Sequence, residues 1–548
     1  MSSYSASAAN RRGSIVPPLS GVDGPTSKVP EKCDVLVCGT GIVESVLAAA
    51  LAWQGSSVIH VDSNSYYGDA SATLNIDQLK DWVRRVNGSQ EPTFSRAMLY
   101  MPRPLQSKHY LIDLSPRIMF ARSDLLSLLI KSRVANYLEF KPLSSFHTFE
   151  NDSFEKVAGS KEDIFTDQSL SLITKRTLMR FIKFVLDWET QSSVWEQYKM
   201  EPIYKFLTEV FKLELPQITE LVLTIGLCVA LDVPTPKALA RIKRYLISLD
   251  VYGAFPVLYS MYGSAGEIAQ GFCRSAAVAG ATYKLNSQLT DYDQETQIAT
   301  FADGSRIQVS EKLVVSPTSN PYRAPQGENT RIVSRLVAVV AKDCKEWFAE
   351  GESAAVIVFP PGTLSSNNRC AVQVIIFGSG SGKCPPGQAI WYLSTVEPKN
   401  GRADLEEALA KLEQSILRES TEDFEFDDVK DSDVSYRDDG MPVLSSVKLG
   451  QSMQNFVPKE KLQFLLKLAY TQQVTTAEAD MGTLIYSKRP SAEISYDGVV
   501  NQARALYVKI VGSDDDFFDV DFEDESEDER QPEEPDNGHD EFGEQMEM

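Results

Sequence analysis

The run Asp34-Val-Leu-Val-Cys-Gly39-Thr40-Gly41-Ile-Val-Glu44 constrains this 548-residue chain more than any other stretch. An apolar strand enters a glycine turn and leaves as an apolar helix that continues to Trp53. A second strand, Val58-Ile-His-Val-Asp62, ends in an acid 21 residues beyond Gly41. Strand, glycine turn, helix, strand and terminal acid make up the first half of a dinucleotide-binding fold, whose acid holds a ribose hydroxyl. The third glycine of that pattern, however, is Glu44. Glycine there lets helix pack closely on strand, beside a helix N-terminus that attracts pyrophosphate. A carboxylate repels phosphate oxygens and crowds the turn. Gly39, Gly41, Glu44 and Asp62 therefore read as a degenerate dinucleotide turn, and no cofactor is expected.

Downstream, the periodicity changes. From about 113 to 250 it is helical: Leu178, Phe181, Ile182, Val185 and Leu186 fall on one helical face, as do Ile203, Phe206, Leu207, Val210 and Phe211. Leu125 to Leu138 and Ile218 to Leu231 are further helix candidates, and Pro234 and Pro236 break the run before another, Lys237 to Leu249. Short β-like segments follow at Ile298–Phe301, Lys312–Val315, Ile332–Val340, Ala355–Phe359, Val372–Phe377 and Ala389–Ser394. A helix over 499–511 closes the fold. The fold class is α/β: a mixed, dinucleotide-binding-like domain over 33–112 and 237–511, interrupted by a mostly helical domain over 113–236. A disordered leader, 1–32, and an acidic disordered tail, 512–548, flank it.

The net charge of −22 belongs largely to that tail. Residues 514–548 hold eighteen Asp and Glu against one Arg, a net −17 that leaves −5 for residues 1–513. With no basic stripe, nucleic acid is not an expected partner. Seven scattered cysteines (33, 38, 228, 273, 344, 370 and 384) lack metal-type spacing and read as reduced thiols of a cytoplasmic protein. The longest apolar run, Leu221 to Leu231, is about half the ~20 residues a membrane span needs. The four histidines (60, 109, 147 and 539) are far apart, and neither a metal site nor a catalytic triad is expected. Phe377-Gly-Ser-Gly-Ser-Gly382-Lys383-Cys384 imitates a phosphate loop. Phe377 stands in place of its first glycine and Cys384 in place of its Ser or Thr, so it reads as a flexible turn. Arg11-Arg12-Gly-Ser14 has the form of a basophilic kinase site.

Three blocks then carry a resemblance. They are Gly39-Thr-Gly-Ile-Val-Glu44, the loop Asp62-Ser-Asn-Ser-Tyr66-Tyr67-Gly68, and Tyr262-Gly-Ser-Ala-Gly266-Glu267-Ile-Ala-Gln270-Gly271-Phe-Cys-Arg274. Together with Asp113-Leu-Ser-Pro-Arg117 and Tyr137-Leu-Glu-Phe-Lys141, they resemble the Rab GDP-dissociation inhibitor and Rab escort protein superfamily. The resemblance covers much of 33–290, is weaker to about 510, and does not reach the tail.

The resemblance implies a non-catalytic protein that binds GDP-bound Rab GTPases. Its Rab-binding platform maps to Tyr66, Tyr67, Glu267, Gln270, Arg274, Thr282, Tyr283 and Lys284. Lys284 stands where the family often has methionine, Val251 where arginine is common, and Ile268-Ala269 where Leu-Pro is usual. Length and the segment Val46–Gly55 favour the escort branch, similar to fungal escort proteins. That branch presents unprenylated Rab to the α/β heterodimer of Rab geranylgeranyl transferase and takes the lipidated product to a membrane, with transient peripheral association. The resemblance places a groove for the Rab C-terminus or prenyl chain near Leu125, Leu126, Leu129 and Val134, and a transferase contact near Leu221, Leu223 and Leu227. A dissociation inhibitor acting on prenylated Rabs and, more remotely, a flavin oxidoreductase stay open as alternatives.

Overall fold

The computed structural model describes residues 29–91, 93–150, 153–157, 171–319, 331–419, 434–436, 442–444, 461–474, 479–488 and 491–520. Residues 1–28, with the Arg11–Ser14 motif, and the tail beyond 520 lie outside the described residues.

Two sheets organise the chain. The first runs in the order Thr282–Lys284, Val58–Val61, Lys32–Cys38, Arg306–Val315, Ile298–Phe301 and Leu289–Asp293. Its first four strands are parallel, with Val35 opposite Val58 and Val37 opposite His60. A parallel sheet is covered on both faces, which is why the central stretches Val35–Cys38, Val58–Val61 and Leu313–Val315 are almost wholly apolar and buried. Val35, Val37 and Val58 point to a core shared with the helices Ile42–Trp53, Ala265–Val278 and Val499–Val511. Leu36, Cys38 and Ile59 point the other way, towards Phe301, Val309 and Tyr486.

The second sheet has eight strands, in the order Phe94–Tyr100, Phe464–Val474, Arg331–Val340, Ala389–Thr395, Val372–Gly378, Ala354–Phe359, Phe146–Glu150 and Ser153–Lys156. Val337 and Val339 face the core of the helices Leu172–Leu186, Ile203–Phe211 and Thr235–Ser248. The alternate residues Ala338 and Val340 pack under the helix Gly401–Glu419, against Leu405 and Leu412.

Three local expectations differ. The helix expected from Leu125 to Leu138 stops at Lys131, because Arg133 takes a left-handed conformation (φ 55°), and a short 3-10 turn, Val134–Tyr137, follows. The helix expected from Ile218 to Leu231 begins earlier, widens to π geometry over Glu220–Ile225 and ends at Gly226, whose amide reaches back to the Leu221 carbonyl at 2.9 Å. A Cβ on Gly226 would stand 2.7 Å from the Val222 carbonyl oxygen, so glycine is needed where that turn tightens. Third, strands Phe140–Leu143, Phe146–Glu150 and Ser153–Lys156 occupy part of the stretch expected to be helical.

The folded body also runs past residue 512. Phe517 and Phe518 are buried, Phe517 against Tyr507 and Phe518 against Phe272 of the helix Ala265–Val278. Ion pairs Arg504–Asp514 and Lys131–Asp519 flank them. Among the described residues, no helix is long and apolar enough to cross a membrane, and no cluster of His, Cys, Asp or Glu is arranged to hold a metal ion.

Candidate functional site

The glycine turn is closed by its own side chains. Asp62 Oδ2 accepts from the Thr40 amide (2.8 Å) and hydroxyl (2.6 Å), and Oδ1 from the Asn64 amide (2.8 Å) and side chain (2.9 Å). Four bonds occupy the acid that a ribose would use. Glu44 folds back over Gly41, with one oxygen against the place a Gly41 Cβ would take and the other accepting from Ser487. Asp69 stands beside it, accepting from Ser316. Burial pushes Glu44 up to about 7 and raises Asp62; it also holds Asp69 well above the usual carboxylate range, helped by the charges of Asp62 and Glu44. The adjoining cavity, lined by Gly41, Glu44, Asp69, Thr93, Arg117 and Ser491, has about 30 Å³ of room. That is space on the scale of a single water. Two carboxylates sit where a pyrophosphate would dock, so these residues do not fit a dinucleotide.

A different surface is built next to this turn. On the helix Ala265–Val278, Glu267, Gln270 and Arg274 recur at i, i+3 and i+7 and share one half-buried face. Ile268, Ala269, Phe272, Cys273 and Ala276 are buried on the other, against the helix Ile42–Trp53. Trp53 Nε1 donates to Ser275 at 2.9 Å, and Ser45 lies 3.3 Å from Cys273 Sγ. The tyrosine loop crosses this helix at Gly68 and Gly266. Gly68 has φ 103°, and a Cβ there would stand 2.9 Å from the Gly266 Cα, so a side chain would force the two backbones apart.

Tyr66 and Tyr67 diverge. Tyr66 packs on the helical core, and its hydroxyl accepts from Arg85 at 2.5 Å. Tyr67 packs on the platform side, its ring 6.2 Å from that of Tyr283. The Arg274 guanidinium lies 4.5 Å from the Tyr137 ring centre, within cation–π range. Thr282 and Lys284 are half-buried on the edge strand, and the Lys284 ammonium donates to Asp303 at 2.5 Å. Burial raises Glu267 above the ordinary glutamate value, while the cation of Lys383 opposes that rise.

Tyr283, expected as a contact, is instead interior. Burial pushes His60 down to about 4 and so keeps its ring neutral. His60 Nε2 lies 2.7 Å from the Gly39 carbonyl, which can only accept, so this nitrogen carries the proton. Nδ1 is then the acceptor of the Tyr283 hydroxyl at 3.2 Å. Tyr283 supports the face from below.

Two other expected sets are placed differently. Leu125, Leu126, Leu129 and Val134 are all buried, packed into the core behind the platform. A Cβ on Gly271 would meet Val134 at 3.0 Å, so this segment is the floor of the platform helix and not an open groove. Leu221, Leu223 and Leu227 are likewise buried in the helical core and present no surface. An apolar residue signals burial before it signals contact. The glycine-rich segment 378–382 is tied down as well, because Lys383 is fully buried in an ion pair with Asp113 at 2.7 Å. Sequence reasoning assigned no role to Arg85, Tyr137, Asp113 or Lys383. All but Arg85 lay in stretches it had singled out, Asp113 and Tyr137 in blocks of the resemblance and Lys383 in the segment that imitates a phosphate loop.

The scaffold is thus of the FAD-binding type, with its crevice closed and a mixed acid–amide–guanidinium face beside it. The GDP dissociation inhibitor family matches residues 29–439. The chain is 52% identical over 546 residues to the Saccharomyces cerevisiae Rab proteins geranylgeranyltransferase component A, covering 94% of this chain and 90% of that protein. It is 47% identical to the Candida albicans protein of the same name, over 90% and 87%, and 27% identical to Arabidopsis thaliana Rab escort protein 1, over 89% and 94%. Among solved structures, Rab GDI from Plasmodium falciparum superposes with a TM-score of 0.61 at 19% identity, covering 88% of this chain and 99% of the other. The chain belongs to the GDP dissociation inhibitor family.

Proposed function

We infer that this chain acts as an escort for Rab GTPases. It binds GDP-bound, unprenylated Rab, presents it to the α/β heterodimer of Rab geranylgeranyl transferase, and delivers the geranylgeranylated product to membranes. The likeness to component A proteins over 94% of the chain carries this reading. The chain is an accessory component, and catalysis belongs to the transferase. It works in the cytoplasm and meets membranes only peripherally and transiently.

The half-buried face supports the binding step. Tyr67, Glu267, Gln270 and Arg274 offer a rigid aromatic, an acid, an amide and a guanidinium, which suit the polar switch regions of a GTPase. Switch order depends on the γ-phosphate, so such a face can select the GDP state. Arg274 is held by Tyr137 and Tyr67 is backed by Tyr283, so little side-chain freedom is lost on binding. A carrier is needed because each buried methylene of the lipid contributes about 0.8 kcal/mol to membrane attachment.

Reconstituted prenylation tests the reading. The purified chain, GDP-loaded Rab, transferase and labelled geranylgeranyl diphosphate are combined, and transfer is followed with and without the chain. Transfer that depends on the chain supports the escort role. Absence of stimulation, with binding to prenylated GDP–Rab intact, would reassign it as a dissociation inhibitor.

A further inference from the structure

A lysine with no water contact is costly unless its charge is matched. Lys383 is such a residue. It ends the Gly378–Gly382 segment, and its side chain and that of Asp113 are both fully buried. Its ammonium donates to Asp113 Oδ2 at 2.7 Å and reaches the Ser264 hydroxyl at 3.3 Å. Asp113 in turn accepts from the Ser264 amide and hydroxyl, each at 2.8 Å, and from the Thr73 hydroxyl at 2.6 Å. Each of these partners sits on an element of the platform. Ser264 is the N-cap of the helix that carries Glu267, and Thr73 follows the tyrosine loop and pairs with Asp113 in a two-residue ladder.

The glycines bring the lysine there. The segment leaves the second sheet at Gly378, makes one 3-10 turn over Ser379–Ser381, and passes Gly382 (φ 73°) against the Tyr262 ring. Backbone bonds fix both ends: Tyr262 donates to the Ser381 carbonyl at 3.1 Å, and Leu111 to the Lys383 carbonyl at 3.0 Å. The loop that imitates a phosphate cradle therefore delivers a cation to an internal carboxylate.

We propose that Lys383 is a positioning residue for GTPase binding. Through Asp113 it sets Ser264 and Thr73, and with them the first turn of the platform helix against the tyrosine loop. Its nearest effect falls on Glu267, one turn into the helix, and not on Arg274, two turns further along. The proposal rests on the escort reading of that face.

The test uses the full chain and GDP-loaded, unprenylated Rab. Lys383→Met combined with Asp113→Asn removes both buried charges and keeps an amide oxygen to accept from Ser264 and Thr73. The expected result is a folded protein that binds Rab about tenfold more weakly or worse. In a Glu267→Ala background the same pair should cost less than about threefold, whereas in an Arg274→Ala background the full loss should persist. A general loosening of the fold would not separate the two backgrounds. Should the pair not fold, Ser264→Ala, which removes the hydroxyl both ions share, must weaken binding by about threefold or more with the same dependence on Glu267. Wild-type affinity in the folded variant, or equal losses in both backgrounds, overturns the proposal. Tyr67→Ala and Arg274→Ala alone serve as controls, because unchanged binding in both overturns the platform reading itself.

Discussion

Gly68 and Gly266 touch backbone to backbone, with a Cβ on Gly68 falling 2.9 Å from the Gly266 Cα. A Cβ on Gly266 would stand 2.8 Å from the Thr73 amide nitrogen. No flexible side chain is available to give way on either side, so the contact fixes how the tyrosine loop meets the helix. Gly266→Ala should cost about 1–3 kcal/mol of stability by overpacking. It should also weaken GDP–Rab binding by more than the stability change explains. Thermal unfolding and a binding titration on the same preparation check this.

Tyr67 and Arg274 are the side chains of the face best prepared to anchor a partner. Tyr67→Ala and Arg274→Ala should each weaken GDP–Rab binding by about 2 kcal/mol. Tyr283→Phe should leave that affinity nearly unchanged. It removes the buried hydroxyl that bonds His60 and interacts with Cys273, with a stability loss of about 1 kcal/mol. Calorimetric titration of the three variants separates contact from support.

Glu44 makes stability depend on pH. Its carboxyl titrates near 4.5 when unfolded and about 7 when buried, so the folded state holds the proton more tightly. Its contribution is therefore fully present below pH 4.5, falls as pH rises, and is lost above about 7. Glu44→Gln should flatten the fall in unfolding temperature between pH 5 and pH 8. An unchanged slope would assign the pH dependence to other groups.

Phe517 and Phe518 are the last buried aromatic side chains among the described residues. Deleting 521–548 should leave both stability and Rab affinity close to those of the intact chain. Phe518→Ala should cost about 3 kcal/mol or more, since the ring is 1% exposed. It should also disturb Rab binding, because that ring packs on Phe272 beneath the platform. Melting curves of the truncation and the point variant distinguish the two segments.

What could be read from the sequence was what local pattern records. The apolar strands and glycine turn of 34–62 announce themselves, because both faces of a parallel sheet are covered. The spacing of Glu267, Gln270 and Arg274 places them on one helical face. The fate of Lys383 was not legible, because its partner Asp113 is 270 residues away and only the fold joins them. Tyr283 and Thr282 look equally suited to a surface, yet alternation along the edge strand turns one inward. The leucines near 125 and 221 show the same limit. Hydrophobicity says that a side chain leaves water, and not whether protein or partner covers it. The Phe517–Phe518 anchor was hidden by the acids around it.

A protein whose crevice is filled by a bound dinucleotide owes part of its stability to the concentration of that ligand. Here the filling group is Glu44, joined to the chain and present at every concentration, and Asp62 is satisfied by its own neighbours. The fold's integrity is thereby uncoupled from the cell's supply of any nucleotide. The nucleotide state that matters to such a molecule is the one carried by another protein.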